Sequence, residues 1–167
     1  MATVSTIDTA FGLMAQVVQY PTPALPQQAQ ACVAALKDQR PRAARPMQRF
    51  EAFVRVTPLD TIEELYTATF ELRPVCFPYI GFQLFGETYK RGAFLAALSA
   101  RFREAGCDAG TELPDHLSVV LRYLALAPDA DLVTEGLLPA LQRMIDQLDG
   151  NPYRDALQAI RDAVRLS

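Results

Sequence analysis

The chain has 167 residues, half of them hydrophobic and 21% charged, a composition that allows one ordinary core and excludes global disorder or a large multidomain enzyme. Sixteen Lys and Arg against nineteen Asp and Glu leave a net charge of -3, a poor match for a polyanionic partner, so nucleic acid is not expected to bind. Residues 1–8 carry no Lys or Arg ahead of an apolar run. The densest apolar stretch, Leu117 to Ala127, is interrupted by Arg122 and falls short of the ~20 residues that span a bilayer. No secretory signal and no membrane segment are expected, which makes a cytoplasmic location the default. Cys32, Cys76 and Cys107 are widely spaced without a CxxC pair, so reduced thiols are expected rather than disulfides or structural zinc.

Apolar residues recur at helical spacing and no stretch keeps the alternation of a half-buried strand, which predicts an all-α fold: a single-domain helical bundle of about seven to eight helices over residues 1–167. Ile7, Phe11, Met14 and Val18 share one face of a helix over about residues 5–19, ended by Tyr20-Pro21-Thr22-Pro23. Pro26 opens a short second helix, with Val33 and Leu36 inward and a stop at Arg40-Pro41. Lys37, Arg40, Arg42, Arg45, Arg49 and Arg55 against Asp38 and Glu51 give residues 37–55 a local charge of +4, and the Pro-containing part, 37–46, reads as a basic linker running into a helix. Thr57-Pro58-Leu59-Asp60 has the form of an N-cap, a first-turn proline and an acid, followed by the stripe Leu59, Ile62, Tyr66, Phe70. Pro74 and Pro78 then break the pattern, and the aromatic-rich run through Phe85 reads as an ordered loop or a short broken helix.

A helix from Glu87 to about Ala105 carries Phe94, Leu95, Leu98 and Phe102, with Gly106 placed to close it in the left-handed region. Pro114 reads as the start of a helix to residue 127, apolar around most of its circumference and therefore expected to be the most buried. Leu137, Leu141, Met144 and Leu148 mark a helix begun or kinked near Pro139, and Asn151-Pro152 caps a last one bearing Tyr153, Leu157, Ile160 and Val164.

Chemistry-bearing patterns are sparse. His116 is the single histidine and no HExxH accompanies it; Ser5, Ser99, Ser118 and Ser167 lack a GxSxG setting; Gly81, Gly86 and Gly92 are too far apart for a phosphate loop. No catalysis, metal or cofactor is expected. The acids are distributed more tellingly. Asp60, Glu63, Glu64 and Glu71 occupy residues 57–72 with no basic residue, and seven carboxylates between Glu104 and Gln142 face Arg122 alone, surfaces that suit a basic partner or are simply solvated helix faces.

Three elements carry more than composition: ELYTATFEL at 64–72, LFGETYKRG at 84–92 and ELPDHL at 112–117, with Cys76-Phe77-Pro78-Tyr79 between the first two. Together, and with Phe11-Gly12-Leu13 and Tyr20-Pro21 ahead of them, they resemble the NarJ-type molybdoenzyme assembly chaperones, relatives of the TorD-like family. The resemblance implies an all-helical, non-catalytic chaperone that binds the N-terminal segment of a molybdopterin-dependent catalytic subunit and assists insertion of its molybdenum cofactor. It leaves open whether the client is a nitrate reductase or a related enzyme, because the loop Leu84-Phe85-Gly86-Glu87 differs from the histidine-bearing version and the chain lacks a longer charged tail. Carried over residue by residue, it implies partner contacts at Tyr66, Phe70, Tyr79, Glu87, Arg91, Asp115 and His116. Each also has a structural reading: Tyr66 and Phe70 lie on an apolar stripe, Pro114 is a helix starter, Asp115 is a first-turn acid and His116 a surface or partly packed residue. A generic helical interaction domain and a small enzyme are the competing readings, without a DNA-reading motif or a convergent polar set to favour either.

Overall fold

The computed structural model describes residues 6–165, with side chains from Thr9 onward. Among these, nine α-helices and two π-helical turns alternate with short connections, and the buried apolar residues form one contiguous cluster. Ser5 and the side chain of Ile7, both placed on the first helix from the sequence, lie outside the described residues.

Helix α1 (Thr6–Val17) lies between α2 (Leu25–Gln39) and α7 (Leu117–Leu126). Helix α2 is fifteen residues long, so it is not short, and Pro26 sits in its first turn, where the missing N–H costs nothing. The region 37–46 is not a linker. Helix α2 continues to Gln39, α3 (Pro41–Val56) starts at once, and only Arg40 departs from helical geometry, with φ -137° and ψ 67°, because the ring of Pro41 disfavours the α region for the residue before it. Arg42, Arg45 and Arg49 are exposed at i, i+3 and i+7, while Ala43, Ala44, Met47 and Phe50 pack inward; the charge run is the outer face of a helix.

Helix α4 (Leu59–Tyr66) passes into a π-helical turn, Thr67–Glu71, closed by Leu72 N–H donating to the carbonyl of Thr67 at 2.9 Å. Thr57 is not its N-cap. Its hydroxyl donates back to the Phe53 carbonyl at 2.6 Å, satisfying the end of α3 instead. The connection 72–79 is irregular, with bends at 72–73 and 75–76 and Arg73 at φ 47°, and α5 (Ile80–Phe85) follows, so the aromatic run is both a loop and a short helix. Helix α6 (Tyr89–Ala105) ends on Gly106 at φ 72°, the expected left-handed stop.

Helix α7 begins three residues after Pro114. Pro114 lies in the preceding turn and the cap is His116. Seven of its ten residues are buried, consistent with its expected central place. A second π-helical turn, Leu132–Leu137, leads into α8 (Leu138–Asp146), with Pro139 in the first turn. Helix α9 (Tyr153–Arg165) opens where Asn151 Oδ1 accepts from Tyr153 N–H at 2.9 Å, and it buries Tyr153, Leu157, Ile160 and Val164 against α3 and α8. Phe50, Tyr66, Phe70 and Tyr153 meet at its start with ring centroids 5.0–5.7 Å apart for the contacts to Tyr153.

Candidate functional site

Two chain segments far apart in sequence are knitted together beside this aromatic core. Residues 78–80 run antiparallel to 115–117: Ile80 N–H donates to the Asp115 carbonyl at 2.8 Å, and Leu117 N–H donates to the Pro78 carbonyl at 2.9 Å. Pro74, Pro78 and Pro114 keep these segments out of helical geometry, which leaves their backbone free to pair.

The knit places Asp115 inside the protein, with its side chain fully buried. Arg91 of α6, 18% exposed, holds both carboxylate oxygens, Nε to Oδ2 at 3.0 Å and Nη2 to Oδ1 at 3.2 Å. Asp115 is therefore neither an exposed acid nor a residue of the α7 first turn; its charge is matched within the chain. The guanidinium also lies over the Tyr79 ring at 5.3 Å and the Phe82 ring at 5.9 Å. Gly81 makes the fit possible, since a Cβ there would stand 2.6 Å from Asp115 Oδ2 and 2.9 Å from Phe94 Cδ1.

His116 is 3% exposed, not a surface residue. Its Nδ1 accepts from Ser118 N–H at 3.1 Å, capping α7, with the Ser118 hydroxyl at 2.8 Å. The backbone donor assigns the proton to Nε2, which faces Glu112 Oε2 at 3.6 Å. Burial lowers the His116 pKa below its ordinary value while Glu112 and Asp115 oppose the shift, so the imidazole is mainly neutral near pH 7. Its ring meets Tyr79 edge to face at 5.4 Å, and the Tyr79 hydroxyl donates to Glu112 Oε1 at 3.5 Å. Desolvation and the two nearby carboxylates raise the Tyr79 pKa, keeping it a donor.

Above this knit lies a cleft of about 270 Å³ lined by Tyr66, Phe70, Glu71, Pro74, Phe77, Pro78, Tyr79, Glu112 and His116. Four of the seven residues expected to contact a partner converge here: Tyr66, Phe70, Tyr79 and His116. Arg91 and Asp115 lie behind the wall and fix Tyr79; Glu87 is exposed ahead of α6 and lines neither this cleft nor its neighbour. The neighbouring groove, about 510 Å³, is formed by Tyr20, Asp60, Glu63, Glu64, Thr67, Ala68 and Leu72, and the Tyr20 and Tyr66 rings meet at 5.5 Å between the two.

Glu71, Glu112, Tyr20 and Leu72 were not among the expected contacts, although the acid run of 57–72 pointed to this side. Asp60, Glu63, Glu64, Glu71 and Glu112 form no ion pair with Lys or Arg among the described residues. Tyr20, Leu72, Val75, Phe77 and Leu113 expose large apolar surface on the same elements. Unneutralised carboxylates beside exposed apolar groups complement a segment that is both basic and apolar.

The described residues contain no group of three or more His, Cys, Asp or Glu placed to hold a metal ion, and no helix long and apolar enough to cross a membrane. Burial pushes the Cys32 and Cys76 thiols up to about 12, away from nucleophilic reactivity.

This arrangement of helices is the fold of a solved structure from Archaeoglobus fulgidus described as a candidate redox enzyme maturation protein, matched with a TM-score of 0.66 and 16% identity over 96% of this chain and 94% of that one. No curated protein sequence matches the chain. The chain belongs to the nitrate reductase delta subunit family, whose sequence profile matches residues 24–159 and so takes in all of both clefts except Tyr20. It is thus a NarJ/TorD-like, all-α member of the molybdoenzyme maturation chaperones.

Proposed function

We propose that this chaperone binds the N-terminal segment of a molybdopterin-dependent catalytic subunit in the double cleft around Tyr66, and holds that subunit open for insertion of the molybdenum cofactor without itself catalysing a reaction. The observation that carries the reading is the convergence of Tyr66, Phe70, Tyr79 and His116 with Glu71 and Glu112 around one opening. Apolar anchors of the segment enter against the aromatic floor, and its Arg or Lys side chains meet the five carboxylates that form no ion pair with Lys or Arg among the described residues. Arg91 and Asp115 act as positioning residues that hold Tyr79 and the 78–80 segment; Glu87 contributes from outside the cleft, through the field it adds to the approach of a basic segment.

The test is calorimetry with the N-terminal peptide of a molybdopterin-dependent catalytic subunit from the same organism. The double variant Glu71→Gln/Glu112→Gln keeps side-chain size and removes two charges; it should weaken binding about tenfold, equivalent to ~1.4 kcal/mol. The difference from wild type should shrink as salt is raised. Unchanged affinity in this variant at low salt would place the client elsewhere.

A further inference from the structure

A separate cleft of about 450 Å³ follows the seam between α1 and α7, where Thr9, Gly12, Leu13, Gln16 and Gln19 face Arg122. Arg122 is the sole Lys or Arg between Glu104 and Gln142, among seven carboxylates. Two of those carboxylates are taken by other arginines, Asp115 by Arg91 and Asp129 by Arg101. None of the described carboxylates lies within ion-pair distance of Arg122, and its Nε–H is buried without an acceptor. A half-buried guanidinium left in this state lacks the acceptor that buried donors nearly always have.

Gly12 supplies a second, independent observation. It occupies the interior of α1, where glycine weakens a helix, yet a Cβ at this position would meet nothing within 4 Å. Among the described residues no neighbour requires the side chain to be missing. Gly12 and Arg122 line the same cleft, and a side chain at Gly12 would enter its open space.

We propose that the α1–α7 cleft binds a carboxylate. One guanidinium fork matches the two oxygens and single charge of a carboxylate, and the amides of Gln16 and Gln19 with the hydroxyl of Thr9 are neutral donors at the rim. A phosphate dianion would need a second cation, and the cleft has none. The carboxylate belongs either to a small organic acid or to an Asp or Glu side chain of a peptide. This site shares no lining residue with the two client clefts.

The experiment uses the full-length ¹⁵N-labelled chain, with acetate and chloride titrated at matched ionic strength while the Arg122 Nε–H and Gly12 amide resonances are followed. Acetate should move both saturably and chloride should not, with inorganic phosphate weaker by about tenfold. Arg122→Gln should abolish the saturable response at Gly12. Gly12→Ala, whose methyl enters open space and favours the helix, should raise the melting temperature while weakening acetate about threefold or more. N-acetylglutamate amide binding about tenfold tighter than acetate assigns the carboxylate to a peptide side chain, and equal affinity assigns it to a small organic acid. The proposal is overturned if chloride and acetate act alike, if Arg122→Gln retains the saturable shift, or if Gly12→Ala binds acetate as wild type does.

Discussion

Removing the Asp115 carboxylate is expected to unfold the protein more readily, and the size of the effect follows from its surroundings. The side chain is fully buried and takes two hydrogen bonds from Arg91, at 3.0 and 3.2 Å. Breaking a buried pair by deleting one partner costs roughly 3–5 kcal/mol, because the other charge is left without compensation. Arg91 is 18% exposed and so can recover part of its hydration, which places Asp115→Ala near the lower end, at ~3 kcal/mol. For a domain of this size each kcal/mol shifts the melting temperature by about 2–4 °C, so a fall of roughly 6–12 °C is expected. Thermal unfolding of Asp115→Ala, Arg91→Met and the double variant forms the assay. Methionine keeps the aliphatic stem that packs on Tyr79 and Phe82 while removing the charge, so the double variant should lose clearly less than the two single losses added together. Additive losses, or a shift below about 2 °C for Asp115→Ala, would refute the argument that this carboxylate and Arg91 compensate each other.

Gly81→Ala should cost ~1–3 kcal/mol in chemical denaturation, since its methyl would be driven into Asp115 Oδ2 and Phe94. His116 has a folded pKa below its ordinary ~6.5, so the unfolded chain takes up its proton first; the stability this residue contributes is complete above ~6.5 and is lost as pH falls below it. His116→Asn retains a capping oxygen without a titrating ring, and its unfolding midpoint should therefore fall less than that of wild type between pH ~6.5 and ~5. Asn151→Ala removes the cap on Tyr153 N–H and the 2.9 Å bond to Thr69 Oγ1 together, a loss of ~1–2 kcal/mol readable in urea.

The helices that could be read from sequence are those whose pattern and punctuation agree. Helix α9 has Asn151 before it and Tyr153, Leu157, Ile160 and Val164 along one side, and α6 has Gly106 at its end. The misreadings share a cause, in that local residue types were given local partners. Thr57 has the chemistry of a cap for the helix that follows, but its hydroxyl serves the helix before it. The arginines of 42–49 looked like a linker because charge was counted without phase; at i, i+3 and i+7 they leave Ala43, Met47 and Phe50 to the core. Ile62, Tyr66 and Phe70 keep a four-residue apolar spacing into the first π-helical turn, so that turn is not visible in the sequence. For the candidate site, the aromatic members are legible from the family motifs, whereas the burial of Asp115 is not, because Arg91, its partner, lies 24 residues away. Gly81 was the available hint, a small residue where a helix is pressed against a buried charge.

The backbone knit at 78–80 and 115–117 closes the base of a long excursion comprising α5, α6 and the turns around them. Helix α6 buries only Leu98 and Phe102 completely, and Tyr89 at its start is 82% exposed. With so little of α6 held in the common core, that helix forms a separate unit of opening, whose amides exchange by partial unfolding while α7 and α9 stay closed and α5 stays tied to α8 through Gln83 and Gln147. The base of the excursion is fastened by the same residues that shape the cleft, so the arm can loosen beyond Arg91 without dismantling Tyr79 and His116. Protease nicks near Gly92 would then leave two fragments that remain associated, a behaviour foreign to proteins whose every helix is locked into one core.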